Sequence, residues 1–175
     1  MIKGKTLGLT AINEEDLPVL MKWRNNEDIR QFYREYRELN LEMQKEWFKT
    51  TVNNDKNTIM FAIRDIKTEQ LLGCCGLTYI NWIYKNAELS LYIGADDIYI
   101  DKRAYEAFEL LIKYGFEKLG MYKLWVDCYE IDEKKIKMCE DFNFSLDGVL
   151  RANAFHNKKW ISSKIYSLLA DEFDS

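Results

Sequence analysis

The amino-acid sequence predicts a mixed α/β domain whose mostly antiparallel central sheet, of about seven strands, is flanked by helices. Three observations predict it. Short runs rich in β-branched, aromatic and aliphatic residues recur at 6–12, 59–63, 71–77, 87–93, 124–129, 149–155 and 160–168, separated by turn residues. Two neighbouring pairs have hairpin spacing: 59–63 with 71–77 around the turn 65–70, and 149–155 with 160–168 across His156, Asn157, Lys158 and Lys159. The pair 87–93 and 124–129 is instead separated by a long helical stretch, which calls for a crossover and a parallel pairing.

The elements follow in order. Residues 6–12 read as a strand. Glu14, Glu15 and Asp16 ahead of Leu17 and Pro18 mark a helix start, with acids in the first turn and Pro near its first position. Leu17, Leu20, Met21, Trp23 and Ile29 continue the apolar stripe, with a break near Asn25 and Asn26. Asn40 can cap a second helix through Leu41, Gln44, Trp47 and Phe48. After the hairpin 59–77, a second turn at Asn81 and Trp82 leads to the strand 87–93. A long helix from about 103 to 119 and a short one from about 132 to 142 bracket the strand 124–129. No repeat, low-complexity tract or boundary divides the chain, so a single domain over 1–175 is expected.

Composition narrows the function classes. At 175 residues, with 47% hydrophobic and 31% charged residues, the chain can bury a sizeable core and reads as soluble. A net charge of −4 argues against general nucleic-acid binding and leans toward cationic partners such as polyamines. Cys74, Cys75, Cys128 and Cys139 form no C-x-x-C pair and His156 is the single histidine, so no Cys/His zinc site and no other metal is expected. A Ser-His-Asp triad would have to use His156, which has no motif around it. Free thiols and the absence of an apolar leader-like start point to a cytoplasmic setting, and no apolar run reaches membrane-spanning length.

The order strand, irregular loop, long helix across 87–119 carries the chemistry. A helix N-terminus directly after a strand end presents unpartnered backbone N–H groups, which can hold a phosphorylated cofactor. Four passages add to this. They are Glu15-Asp16-Leu17-Pro18 with Trp23-Arg24-Asn25-Asn26 and Ile29-Arg30; Ala87-Glu88-Leu89-Ser90-Leu91-Tyr92-Ile93-Gly94; Glu106-Ala107 through Leu110-Leu111, Tyr114-Gly115-Phe116 and Leu119-Gly120; and Asp132-Glu133, Ile136, Glu140 and Phe144, followed by Asp147-Gly148-Val149-Leu150-Arg151 and Tyr166-Ser167-Leu168-Leu169. In order and spacing they resemble the GNAT acyltransferases, and within them the group that includes ribosomal-protein N-terminal and amino-sugar acetyltransferases. The resemblance spans nearly the whole chain.

It implies acetyl-CoA as the acetyl donor. The pantetheine would lie along Leu91, Tyr92 and Ile93, the pyrophosphate against Lys102, Arg103, Ala104 and Tyr105, and Asp132 would stand where the family often has an Asn touching the pantetheine amides. The family's Gln/Arg-x-x-Gly-x-Gly/Ala loop is here Tyr99-Ile100-Asp101-Lys102-Arg103-Ala104, in which only Ala104 fits. An Asp101 that caps the helix would put its own carboxylate in the anion site, while Lys102 and Arg103 could offset this with side-chain contacts. The family's usual acid, a Tyr, is replaced by Cys139. A thiol, with a pKa of ~8.5 against ~10 for Tyr, could protonate a similar leaving thiolate, and could equally be a small core residue. Glu88 is the candidate base: alternation puts Glu88, Ser90 and Tyr92 on one strand face, where a carboxylate could relay the amine proton through water. Tyr92, Tyr105 and Tyr129 are alternative acids. Arg24, Tyr33 and Trp82 are candidate substrate-binding residues, and the segment 33–37 would wall the acceptor pocket.

The expected function is acetyl transfer to a primary amine of a small molecule, of amino-sugar, polyamine or amino-acid type. Two rivals stay open: a protein N-terminal acetyltransferase, and a non-catalytic acyl-CoA- or partner-binding protein on the same fold. The late strand 160–168 could mediate a homodimer.

Overall fold

The computed structural model describes residues 1–173. Its strands are β1 (Ile2–Lys3), β2 (Leu7–Thr10), β3 (Ile59–Asp65), β4 (Leu71–Asn81), β5 (Asn86–Ile93), β6 (Lys123–Tyr129), β7 (Ser145–His156) and β8 (Lys159–Leu169). They form one eight-stranded sheet in the order β1-β2-β3-β4-β5-β6-β8-β7. The helices are α1 (Leu17–Asn25), α2 (Glu27–Arg30), α3 (Leu41–Trp47), α4 (Lys102–Lys113) and α5 (Glu133–Asp141).

The eighth strand is β1, too short to show in the sequence; it pairs Ile2 with Leu9 at one edge. The break expected near Asn25 is real. Asn26 leaves the helical region and its Oδ1 accepts the Asp28 N–H at 2.9 Å, starting α2 afresh. Asn40 caps α3 in the same way, through the Met43 N–H at 2.9 Å. The long helix expected to about 119 is regular only to Lys113 and ends in a wider π-type turn, Tyr114–Lys118, around the buried Gly115.

Every pairing is antiparallel except β5 with β6. That parallel pairing covers only Asn86 with Lys123, Ala87 with Leu124 and Glu88 with Trp125. Beyond it β5 stays paired to β4 as far as Ile93, and β6 to β8 as far as Tyr129. Each strand is thus held on its outer side while the two part company, and a gap opens in the middle of the sheet.

Helices on the two faces fix the gap's walls. From α4, Ala104, Ala107, Phe108 and Leu111 are buried on the face to which alternation also sends Leu89, Leu91 and Ile93. Burying a side chain the size of Phe108 or Leu111 contributes ~1.5–3 kcal/mol. On the other face α1 docks through Leu17, Leu20 and Trp23. The Trp23 ring lies so close to Gly94 that an added Cβ would sit 2.0 Å from it, which is why the residue that follows β5 has no side chain. Below α1, the Asp16 carboxylate takes both hydrogen bonds from Arg64 Nη2, at 2.6 and 2.7 Å.

β8, the strand expected to mediate a homodimer, lies between β6 and β7 and is paired on both sides, so it offers no free backbone edge; the edges of the sheet are β1 and β7. Among the described residues, no helix is long and apolar enough to cross a membrane.

Candidate functional site

The gap between β5 and β6 is lined by backbone on one side and by a cluster of charged and aromatic side chains around it. The Ile93 N–H donates to the Tyr99 carbonyl at 3.0 Å, and the Leu91 carbonyl accepts from the Tyr33 hydroxyl at 2.7 Å. Residues two apart on a strand share an edge, so Leu91 and Ile93 turn their backbone groups toward the gap. Tyr33, delivered by the turn after α2, is wedged there. Its ring meets Tyr92 edge-on at 5.8 Å, and the Arg24 guanidinium covers its face at 4.1 Å. Phe32 stacks on Tyr99 at 4.7 Å, so both residues of the turn are anchored.

A cleft of about 350 Å³ opens at the mouth of the gap, among Arg34, Glu88, Ser90, Asp127, Tyr129 and Lys135. Glu88 Oε2 accepts from the Thr78 hydroxyl at 3.1 Å. Arg34 Nη2 lies 2.5 Å from Asp127 Oδ2 and 3.9 Å from Glu88 Oε1, bridging the two acids. Burial pushes the Glu88 carboxyl above its ordinary value; Arg34 and Thr78 pull it back and Asp127 adds to the rise. A carboxylate so poised can take a proton in a cleft. Alternation on 124–129 puts Asp127 on the same face as Trp125, the partner of Glu88, and that signal could have found it; sequence reasoning did not single it out. Its Oδ1 is buried without a hydrogen-bond partner.

A second cavity of about 260 Å³ adjoins the cleft through Arg24, Glu35 and Ser90, and is walled by Leu39, Met43 and Trp47. Three hydrogen bonds from Arg37, two from its guanidinium and one from its backbone N–H, hold the Glu35 carboxyl down at about 2. This cavity offers apolar walls with a carboxylate at one end.

Several expected site residues lie elsewhere or are otherwise engaged. Trp82 sits on the β4–β5 turn, donates from Nε1 to the Lys56 carbonyl at 3.0 Å, and lines a separate surface cavity with Asp55 and Asn57. It does not reach the cleft. Cys139 is fully buried between α5 and the sheet, where the neighbouring Cys128 on β6 and burial push its thiol up; its position is that of a core residue. Tyr105 donates to Asp141 Oδ2 at 2.8 Å and packs on Phe142, fastening α4 to α5. Ala104 is buried, and its N–H goes to the Asp101 carbonyl at 3.0 Å.

The start of α4 is closed by its own residues. Asp101 Oδ1 accepts the Arg103 N–H at 2.8 Å, so a carboxylate occupies the helix N-terminus. The Arg103 guanidinium is clasped by Asp101 at 2.8 Å and Asp96 at 2.9 Å. Lys102 alone projects into solvent there. The two halves of the groove therefore differ. The gap suits a linear arm carrying amides, which would meet the Leu91 carbonyl, once Tyr33 withdraws, and the Ile93 carbonyl as an added strand would, the Ile93 N–H being taken by Tyr99. The helix start suits a diphosphate poorly, since Asp101 stands in the anion's place.

Asp132 is buried, caps α5 through the Lys135 N–H at 3.1 Å, and accepts the Tyr99 hydroxyl at 2.8 Å. The buried stripe of α5 runs through Lys135, Met138 and Cys139, with Ile136 partly buried against the core. A lysine on that stripe is a residue the sequence reading passed over.

The chain matches the family model described as an acetyltransferase (GNAT) domain over residues 6–145. Acetyltransferase PseH of Campylobacter jejuni is 24% identical over 151 residues, covering 83% of this chain and 86% of that protein. The spermidine N(1)-acetyltransferase of Escherichia coli K12 is 25% identical over 162 residues, covering 91% and 84%. Among solved structures, the spermidine N-acetyltransferase of Vibrio cholerae in complex with CoA and spermine superimposes with a TM-score of 0.88 at 22% identity, over 97% of this chain and 98% of that one.

Proposed function

The chain belongs to the GNAT acetyltransferase family, and from that premise we propose that it transfers the acetyl group of acetyl-CoA to a primary amine of a small molecule. The observation that carries this reading is the gap between β5 and β6, with Glu88 at its mouth and a cavity for an acceptor beside it. Bound along the gap, acetyl-CoA supplies an acetyl group already activated as a thioester. Leu91 and Ile93 would hold its arm by backbone hydrogen bonds, and a backbone N–H on the same edge of β5 would polarise the carbonyl. Glu88 would take the proton of the acceptor nitrogen, directly or through one water. Arg34, 3.9 Å from Glu88, would limit how far burial and the neighbouring Asp127 push the Glu88 carboxyl up.

A polyamine-type acceptor is favoured over an amino sugar or amino acid. Glu88, Asp127 and Glu35 line the route, with Arg34 and Arg37 beside them, and Leu39, Met43 and Trp47 offer walls for the methylene segments that set a polyamine apart. The spermidine acetyltransferases among the relatives act on an acceptor of this kind. The open β7 edge supports assembly of several copies, as in the Vibrio cholerae enzyme described as dodecameric. A second reading, a non-catalytic acyl-CoA- or partner-binding protein, draws on the Asp101 cap at the helix start.

One experiment separates them: calorimetric binding of acetyl-CoA, then thiol release with spermidine, an amino sugar and an amino acid, for wild type and Glu88→Gln. The expected result is fastest release with spermidine and a loss of ~10²–10⁴-fold in Glu88→Gln, with acetyl-CoA affinity nearly unchanged. Binding without thiol release from any amine would favour the second reading.

A further inference from the structure

We infer that Lys135 is the cation that receives the leaving sulfur in this protein, in the role the sequence reading offered to Cys139. The inference rests on the acetyl-CoA reading above.

Lys135 lines the cleft with Glu88 and Asp127, and its side chain is only 8% exposed. An apolar residue would fill this space without the penalty of burying an ammonium. The charge is nevertheless only loosely partnered. Its nearest carboxylate oxygen, Asp132 Oδ2, is 3.9 Å from Nζ, beyond hydrogen-bond reach. The remaining neighbours are ring faces, with the centroids of Tyr33 and Tyr99 at 5.4 and 5.7 Å. Burial works against the charge, while the Asp132 carboxylate and the faces of the Tyr33 and Tyr99 rings favour it. The ammonium thus keeps donors available in a low-dielectric gap, where a developing anion gains most from them.

Tyr33 links this to ligand entry. It occupies the Leu91 carbonyl and also covers Lys135. The withdrawal that frees the Leu91 carbonyl therefore uncovers the ammonium at the same moment. Cys139, fully buried in the core beside Cys128, does not line the cleft.

Acceptor nitrogen and carbonyl carbon form the C–N bond, the C–S bond breaks, and the electron pair of that bond leaves on sulfur. Glu88 takes the nitrogen's proton and returns it to solvent. Lys135 holds the thiolate as an ion pair until CoA leaves and its sulfur takes up a proton from solvent.

The test reads protons as well as turnover. CoA binding is measured by calorimetry near pH ~7 in two buffers of different ionisation enthalpy, for wild type, Lys135→Met and Lys135→Arg, with desulfo-CoA as control. A free thiol has a pKa of ~8.5, so CoA bound as thiolate must release nearly one proton. Wild type and Lys135→Arg are expected to release it, Lys135→Met to bind CoA with little release, and desulfo-CoA to release none in any variant. Turnover in Lys135→Met should fall ~10²–10³-fold, as for loss of one oxyanion donor. CoA binding by wild type with no proton release, or release unchanged in Lys135→Met, overturns the assignment and leaves the acetyl-CoA reading standing. No CoA binding to wild type overturns both. Should Lys135→Met fail to fold with Asp132 unpaired, the wild-type comparison of CoA with desulfo-CoA decides alone.

Discussion

Replacing Tyr33 with Phe should tighten the binding of CoA and of acetyl-CoA while weakening the fold. The hydroxyl of Tyr33 reaches the Leu91 carbonyl at 2.7 Å, and that carbonyl is one of the groups a pantetheine arm must use. A ligand donor therefore has to displace an existing hydrogen bond. Such a bond has a net worth of ~1 kcal/mol, a factor of ~5 in an equilibrium constant. Tyr33→Phe removes only this bond. The ring contacts with Arg24, Tyr92 and Lys135 persist. Affinity should rise by up to ~5-fold by titration calorimetry, and the melting temperature should fall by ~2–4 °C, as expected for ~1 kcal/mol in a domain of this size. An affinity unchanged or reduced alongside the same loss of stability would show that the ligand does not use the Leu91 carbonyl, and the groove assignment would fall.

Arg34→Gln should move the acidic limb of the pH–rate profile upward. Arg34 Nη2 stands 3.9 Å from Glu88 and lowers the pKa of its carboxyl; at this half-exposed position a water-like dielectric gives ~1 kcal/mol, or up to ~0.8 of a pH unit. Activity would then be lost at a higher pH as the medium is acidified, and a limb that stays put would remove Glu88 as the titrating base. Asp16→Ala should lower stability by ~3 kcal/mol, because the largely buried Arg64 guanidinium loses its carboxylate; a denaturant midpoint equivalent to under ~1 kcal/mol would contradict this. Trp82→Ala should leave KM and turnover unchanged, since the ring faces a different cavity, and a severalfold rise in KM would return it to the acceptor route.

The sequence by itself determined the elements and their order, apart from the two-residue edge strand β1. Alternation in 87–93 fixed which residues of β5 face Glu88's side of the sheet. Asn26 and Asn40 signalled their helix starts through local side-chain chemistry, and the crossover length made β5 and β6 parallel. The family resemblance, spread over nearly the whole chain, pointed to the same fold. The tertiary structure decided who meets at the gap. It sent Tyr33 to Leu91, 58 residues away in the chain, and Arg34 to Asp127, 93 away. It turned Lys135 inward with Cys139, removed Trp82 to another cavity, and let Asp101 close the helix start that Lys102 and Arg103 were expected to offer a phosphate. Periodicity and capping are short-range properties, read within a few residues of one another. A site assembled from the ends of separate elements depends on how those elements dock, and that is set by the summed burial of a core to which no single stretch of sequence refers.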